Sequence, residues 1–273
     1  MDNLSTGTFI AVSIILTEMK SEESSTNLTY KARCALCNQL GELRKSHIIP
    51  EFMFKPMYDQ KHRFIVLSTD KKEPNKFNQK GLRERLLCPD CETRLSKWET
   101  YTRDLFYGAG VPVTPIDTPS GRFLLMEGID GTKFRLFQLS ILWRASVSKL
   151  SFYKNVDLGP FEKQIGDQLL ASDPGDFDFV PCLLFALIAD GKPMDNFIHI
   201  PEKVRWSEMI GYRFVFGSQI WYYVVSKRKL PPYVREFYLS PEGSCRILIK
   251  DAADVSFVRE FAIDLKEMGK LPD

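Results

Sequence analysis

The sequence predicts an α+β fold, in which a small cysteine-rich module precedes a larger α+β domain with a mainly antiparallel sheet. Three observations support this division. Two C-x2-C pairs, Cys34/Cys37 and Cys88/Cys91, bracket one stretch of the chain. A Gly- and Pro-rich segment at 108–121 then follows, as is typical of a boundary. Beyond it, two segments with helical spacing precede several short apolar segments of the kind that form strands.

The N-terminal residues 1–30 are predicted to form a strand and a linker. Residues 9–16 are apolar and could form the strand, whereas residues 18–30 are rich in Glu, Ser, Thr and Asn. The apolar run lacks a basic flank and a small-residue cleavage site, and it is too short to span a bilayer. We therefore expect a cytoplasmic protein with no membrane partner.

Residues 31–108 are predicted to form a zinc-binding module. Zinc takes four thiolate or imidazole ligands in a tetrahedron, and each C-x2-C turn places two thiolates on one side of the ion. In a reducing compartment such pairs favour metal binding over disulfides. The long connection from Cys37 to Cys88 can be accommodated by an inserted β-hairpin and loop. The second pair also begins a helix, because Pro89 suits a first helical position and acidic residues favour its positive end.

Residues 120–273 are predicted to form the α+β domain. Apolar residues at helical spacing predict a long, largely buried helix over 134–153 and a second helix over 161–171. Arg144 interrupts the first of these, and we expect its charge to reach solvent from the edge of the core. Asp254 is expected to cap a last helix that ends near residue 268.

Strands of this domain are expected over four segments: 182–189, 196–200, 213–216 and 219–226. The turn residues 217–218 are expected to join the last two strands as a hairpin. A second hairpin is expected between 237–239 and 246–250. Cys182 and Cys245 lie in apolar runs and are expected to be buried thiols rather than metal ligands.

Positive charge is concentrated on the cysteine module. Residues 31–108 contain sixteen Lys/Arg and ten Asp/Glu, whereas residues 109–273 contain twenty and twenty-one. Such a basic surface fits a module that faces nucleic-acid phosphates, which makes DNA the expected partner. The alternative is that these lysines form only a solvated loop surface, which those in the polar stretch 71–80 also fit.

Three motifs occur in a fixed order within residues 31–100: Cys34-Ala-Leu-Cys37, Ser46-His47-Ile48-Ile49-Pro50 and Leu86-Leu87-Cys88-Pro89-Asp90-Cys91-Glu92. In order and placement they resemble the HNH, or His-Me finger, nucleases, which have a zinc-stabilised ββα core of treble-clef type. The resemblance implies metal-dependent hydrolysis of phosphodiester bonds in DNA. It also implies a prokaryotic context, since such modules often serve as effectors in antiphage or mobile-element systems.

The resemblance implies that His47 is the general base. Two other positions depart from the family pattern: Arg83 stands closest to the place of the family's asparagine, and Glu92 replaces the terminal His or Asn that binds the catalytic metal. Ser46 stands where the family usually has an acidic residue.

The chemistry of phosphodiester hydrolysis is compatible with these residue types. A neutral histidine near its ordinary pKa of about 6.5 can deprotonate water at physiological pH. Mg²⁺ or Mn²⁺ prefers oxygen ligands, so the carboxylate of Glu92 suits a catalytic cation. Arg83 cannot act as a base, but it could clamp a phosphate.

A second hypothesis assigns no catalysis to these residues. His47 would then be a half-buried side chain bonded to backbone, Glu92 a charge at a helix N-terminus, and Arg83 a solvated or phosphate-facing charge. The protein would be a zinc-module adaptor or nucleic-acid-binding protein with a decayed HNH-like core. In either case we expect the later domain to position the module on DNA or in a multi-component complex with a protein partner.

Overall fold

The computed structural model describes residues 11–13, 31–68, 70–119, 121–206 and 208–271. The helices in these ranges are α1 (Pro89–Tyr107), α2 (Gly131–Val147), α3 (Pro160–Ala171) and α4 (Ser256–Glu267). The strands of the first half are β1 (Ala11–Ser13), β2 (Lys31–Arg33), β3 (Leu40–Glu42), β4 (Arg44–His47), β5 (Phe64–Leu67), β6 (Lys76–Asn78), β7 (Arg83–Leu87), β8 (Val113–Thr118) and β9 (Gly121–Met126). The later strands are β10 (Cys182–Ala189), β11 (Lys192–Pro193), β12 (Phe197–Trp206), β13 (Met209–Phe216), β14 (Gln219–Val225) and β15 (Cys245–Asp251).

One large sheet contains most of the described strands, and its order is β6-β5-β1-β12-β13-β14-β10-β15-β9-β8, with β11 paired to β10. Most neighbours in it are antiparallel. The exceptions are β1, which runs parallel to β5 and β12, and β10, which runs parallel to β15. The predicted α+β class with a mainly antiparallel sheet is therefore confirmed.

Several local predictions agree with the structure. Strand β10 has the predicted bounds, and β13 and β14 form a hairpin whose turn residues Gly217 and Ser218 both have positive φ, at 59° and 57°. Such backbone suits the two-residue turns that match the twist of paired strands. Helix α2 is buried over most of its length, and the thiols of Cys182 and Cys245 are buried.

Other local predictions are wrong. Residues Pro232–Phe237 form a 3-10 helix, and β15 pairs with β9 and β10 instead of forming a hairpin with 237–239. The segment 108–121, expected to be an irregular boundary, contains β8. Its Pro115 is tolerated because β8 lies at an edge of the sheet. Helix α4 begins at Ser256, after a short 3-10 turn that contains Asp254.

The connection between the two cysteine pairs joins the large sheet. Strands β5 and β6 form the expected inserted hairpin, and β5 pairs with the N-terminal strand β1, which in turn pairs with β12. Buried residues from both predicted units, such as Met53 and Phe137, belong to one hydrophobic cluster. The division into a module and a later domain stays a prediction. The predicted linker at 18–30 lies outside the described residues.

Across these ranges, no helix is both long and apolar enough to cross a membrane.

Candidate metal centre and histidine site

The four predicted cysteines converge. Their Sγ atoms all lie within 4.8 Å of one another, and those of Cys37 and Cys88 are 3.7 Å apart. Four thiolates at about 2.3 Å from a tetrahedral zinc would be about 3.8 Å apart, so the spacing fits the ion. Cys34 and Cys91 are buried, while Cys37 and Cys88 are half-buried. The cluster could therefore hold a metal ion such as zinc.

Local backbone geometry brings the two pairs together. Asn38 has a left-handed φ of 58°, which lets the first turn close with a hydrogen bond from its N–H to the carbonyl of Cys34. The N–H of Cys88 points at the Cys34 Sγ at 3.3 Å. Burial opposes ionisation of Cys34, but hydrogen bonds from the backbone N–H groups of Cys37, Cys88 and Leu36 bring its pKa below the ordinary value. Burial, together with the charge of Cys34, raises the pKa of Cys91.

Strands β4 and β7 position the candidate catalytic residues. They pair antiparallel, with His47 directly opposite Arg83 and Ser46 opposite Glu84. Residues opposite each other in such a pair have their side chains on one face. The structure therefore brings Arg83 next to His47, as a positive charge beside the imidazole.

His47 lies against a carboxylate that the sequence reasoning missed. Its Nε2 is 2.7 Å from Oε2 of Glu51, and its side chain is 23% exposed. The backbone of Gly81 packs closely on this ring, since a Cβ there would lie 3.2 Å from Cδ2 of His47 and 2.8 Å from the Phe54 ring. A side chain at Gly81 would therefore displace the imidazole or the phenyl ring.

Burial lowers the pKa of His47 below its ordinary value of 6.5. Glu51 acts in the opposite direction, and the positive charges of Arg83 and Arg144 add to the lowering. The imidazole is consequently neutral at physiological pH, the state in which it can accept a proton.

Tyr58 completes the contacts of Glu51, because its hydroxyl donates a hydrogen bond to the other carboxylate oxygen, Oε1. Burial and the bond to Glu51 raise the pKa of Tyr58, which keeps the phenol protonated as a donor. The sequence did carry one signal for Glu51: a carboxylate four residues after the histidine, just beyond Ile48-Ile49-Pro50.

Glu92 contacts Ser46 rather than the imidazole of His47. The Ser46 hydroxyl is buried and donates to Oε2 of Glu92 at 2.5 Å. Successive side chains of a strand point to opposite faces, so Ser46 and His47 project from opposite faces of β4. The carboxylate and the imidazole therefore lie on either side of the end of this strand.

Arg144 is a second residue whose role the sequence reasoning missed. The expectation that its charge reaches solvent is wrong, since the side chain is 1% exposed. Its guanidinium lies 2.7 Å from Oε1 of Glu99, donates to the carbonyl of His47 at 2.5 Å, and donates to the carbonyl of Ser140 at 3.2 Å. These partners satisfy the cation inside the core. Arg144 thus connects α1, α2 and the end of β4.

Comparisons with protein families, with curated proteins and with solved structures return no match for this chain. The resemblance to the HNH nucleases therefore rests on the residues themselves.

Proposed function

We propose that the protein is a metal-dependent endonuclease of HNH type, which hydrolyses phosphodiester bonds in DNA. The observation that carries the proposal is the environment of His47. The neutral imidazole is held by Glu51 at the end of β4, opposite Arg83. The same short β4–β7 pair leads directly into the cysteine cluster through Cys88.

Zinc on the four cysteines would serve a structural role in this proposal. The cluster joins the first C-x2-C turn to the start of α1, and it is closed by protein ligands alone, as structural sites are. The ββα module of the resemblance would consist of β4, β7 and α1. Zinc would hold α1 in position, and α1 carries Glu92 and Glu99.

His47 would act as the general base. Glu51 faces Nε2, which leaves Nδ1 to take the proton from the attacking water. The carboxylate would then stabilise the imidazolium that forms, as the orienting acid does in other histidine-based sites. Arg83, on the same face, would hold a phosphate oxygen.

Glu92 would bind the catalytic cation, and Ser46 would orient its carboxylate. A bound Mg²⁺ or Mn²⁺ would supply charge stabilisation at the scissile phosphate.

Cleavage of supercoiled plasmid in the presence of Mg²⁺ or Mn²⁺ tests this proposal. His47→Ala should abolish nicking while zinc content and folding stay unchanged. Asp90→Asn, an exposed acid on the same first turn of α1 as Glu92, is the matched control and should cleave normally. Full cleavage by a folded His47→Ala protein would sink the nuclease assignment.

A non-catalytic adaptor or nucleic-acid-binding protein is the second candidate. One observation favours it: within the described residues, only the four cysteines form a group of three or more potential metal ligands. Among these described residues, Glu92 therefore belongs to no group of three potential ligands. Salt-sensitive DNA binding without cleavage, at saturating Mg²⁺ and with any protein partner supplied, would support this candidate.

A further inference from the structure

The basic character of the cysteine module comes almost entirely from the connection between the two cysteine pairs. Residues 61–83 contain seven Lys/Arg and two Asp/Glu, a net charge of +5, while residues 31–108 as a whole have +6. The segment 61–83 contains the β5–β6 hairpin and ends at Arg83, opposite His47. A polyanion attracted to the module would therefore be attracted to this segment.

A tightly bonded turn begins the segment. Oδ1 of Asp59 accepts hydrogen bonds from the N–H groups of Lys61 and Arg63, at 2.9 and 2.8 Å, and Oδ2 accepts from the Arg63 guanidinium at 2.8 Å. His62 donates its N–H to the carbonyl of Asp59 and has a left-handed φ of 55°. A non-glycine residue pays a conformational cost there, which the surrounding bonds of the turn offset. The backbone of the turn at His62 is thus fixed by these bonds.

The turn and the neighbouring strand β6 each present an aromatic ring to solvent. The His62 ring stacks on Tyr58, with centroids 3.9 Å apart and an angle of 19° between the planes, and His62 is exposed. The Arg63 guanidinium lies 4.2 Å over the ring of Phe77, which is 59% exposed. Exposed aromatic rings among cations are the features on which unpaired bases stack.

The stacked pair of His62 and Tyr58 is connected to the candidate active site by direct contacts. Tyr58, beneath His62, donates its hydroxyl to Glu51, and Glu51 lies 2.7 Å from His47. One carboxylate therefore separates the stacked pair from the candidate general base.

We propose that the Asp59 turn is a stacking platform for an unpaired base of single-stranded DNA, which packs on the open face of His62, and that Lys61 and Lys80 contact the backbone phosphates. Both lysines are exposed. Lys61 lies within the turn, and Lys80 follows the end of β6. Single strands are favoured over duplex because the bases of a duplex are already stacked on their neighbours. The choice of DNA rests on the proposed function, but binding to the platform does not require cleavage.

Fluorescence anisotropy with a labelled 12-nucleotide DNA, without added Mg²⁺ or Mn²⁺, tests the proposal. His62→Gly removes the ring and keeps a residue that adopts positive φ without strain, so the turn should survive. We expect it to weaken binding about five- to tenfold, in the range of one lost base stack. Tyr233→Ala, which removes an aromatic side chain that is 71% exposed outside the segment, is the control and should bind normally.

The phosphate contacts have their own readout. Lys80→Gln should reduce the slope of log affinity against log salt by about 0.7 for a single strand, because one fewer counterion is released. Lys192→Gln, at an exposed position of β11, should leave the slope unchanged.

Wild-type affinity of His62→Gly for the single strand would overturn the platform, whatever the result of the cleavage assay. Tighter binding of wild type to the matched duplex, or to RNA of the same sequence, would overturn the assignment to single-stranded DNA. The expected loss on His62→Gly in a protein that never cleaves would keep the platform and reject the nuclease instead.

Discussion

Replacement of Arg144 by methionine tests whether a buried ion pair holds the end of β4 in place. Methionine keeps most of the apolar stem but removes the cation. The carboxylate of Glu99 would then lose its charged partner, and the carbonyls of His47 and Ser140 would lose a donor. The expected result is a marked loss of stability, because the groups left behind lie in or at the edge of the core.

The burial of Arg144 and Glu99 determines how much unfolding free energy Arg144→Met should lose. Removing one partner of a fully buried ion pair costs about 3–5 kcal/mol, since an uncompensated charge remains inside the protein. Burial raises the pKa of the Glu99 carboxyl, and loss of Arg144 would raise it further, so the carboxyl can take up a proton, which places the expected loss near the lower end, at about 3 kcal/mol. The double variant Arg144→Met/Glu99→Gln removes the stranded charge and should lose only about 1–2 kcal/mol, the cost of the unpaired carbonyls.

Urea unfolding of the two single variants and the double variant measures these values. Arg122→Met, which breaks an exposed pair with Asp117, is the matched control and should cost about 0–1 kcal/mol. A loss below about 1 kcal/mol for Arg144→Met would refute the reasoning, and so would a double variant whose loss equals the sum of the singles. In the plasmid assay the double variant should remain impaired, because the His47 carbonyl still lacks its donor.

Four further predictions concern the metal centre and the histidine site. Cys37→Ala should remove zinc and lower the melting temperature, as metal analysis and thermal unfolding would show; a zinc-free variant that melts like wild type would contradict a structural role. Burial holds the pKa of His47 below 6.5, and Arg83 adds to this lowering while Glu51 opposes it. Cleavage should therefore persist as pH falls through 6.5 and decline only near the lower pKa of the folded protein. Arg83→Met removes a positive neighbour and should move this acid limb to higher pH; a limb at the wild-type pH would count against the contact. Glu92→Gln should raise the Mg²⁺ concentration for half-maximal cleavage by about tenfold or more, whereas an unchanged requirement would remove Glu92 from the metal site.

The same site shows where interpretation of the sequence succeeds and where it stops. The convergence of the cysteines followed from two short C-x2-C motifs, each of which closes within one turn of backbone. Glu51 was missed although it lies only four residues from His47, because a 3-10 turn after Pro50, and not a regular helix, carries it back to the ring. Arg144 was misjudged because two of its partners, Glu99 and the His47 carbonyl, come from other elements. When such partners are unknown, a charged side chain in an apolar helix is expected to reach solvent.

By itself, the sequence determined the features that depend on neighbouring residues: the cysteine turns, the start of α1 at Pro89, the bounds of β10 and the β13–β14 hairpin. Turn residues and apolar periodicity specify these within a few positions of the chain. Only the tertiary structure decided that β15 pairs with β9 and β10, that β5 and β6 extend the sheet through β1, and that Arg144 holds the His47 carbonyl. Such choices depend on which distant surfaces bury each other and which buried charges find partners, and no local pattern of residues records them.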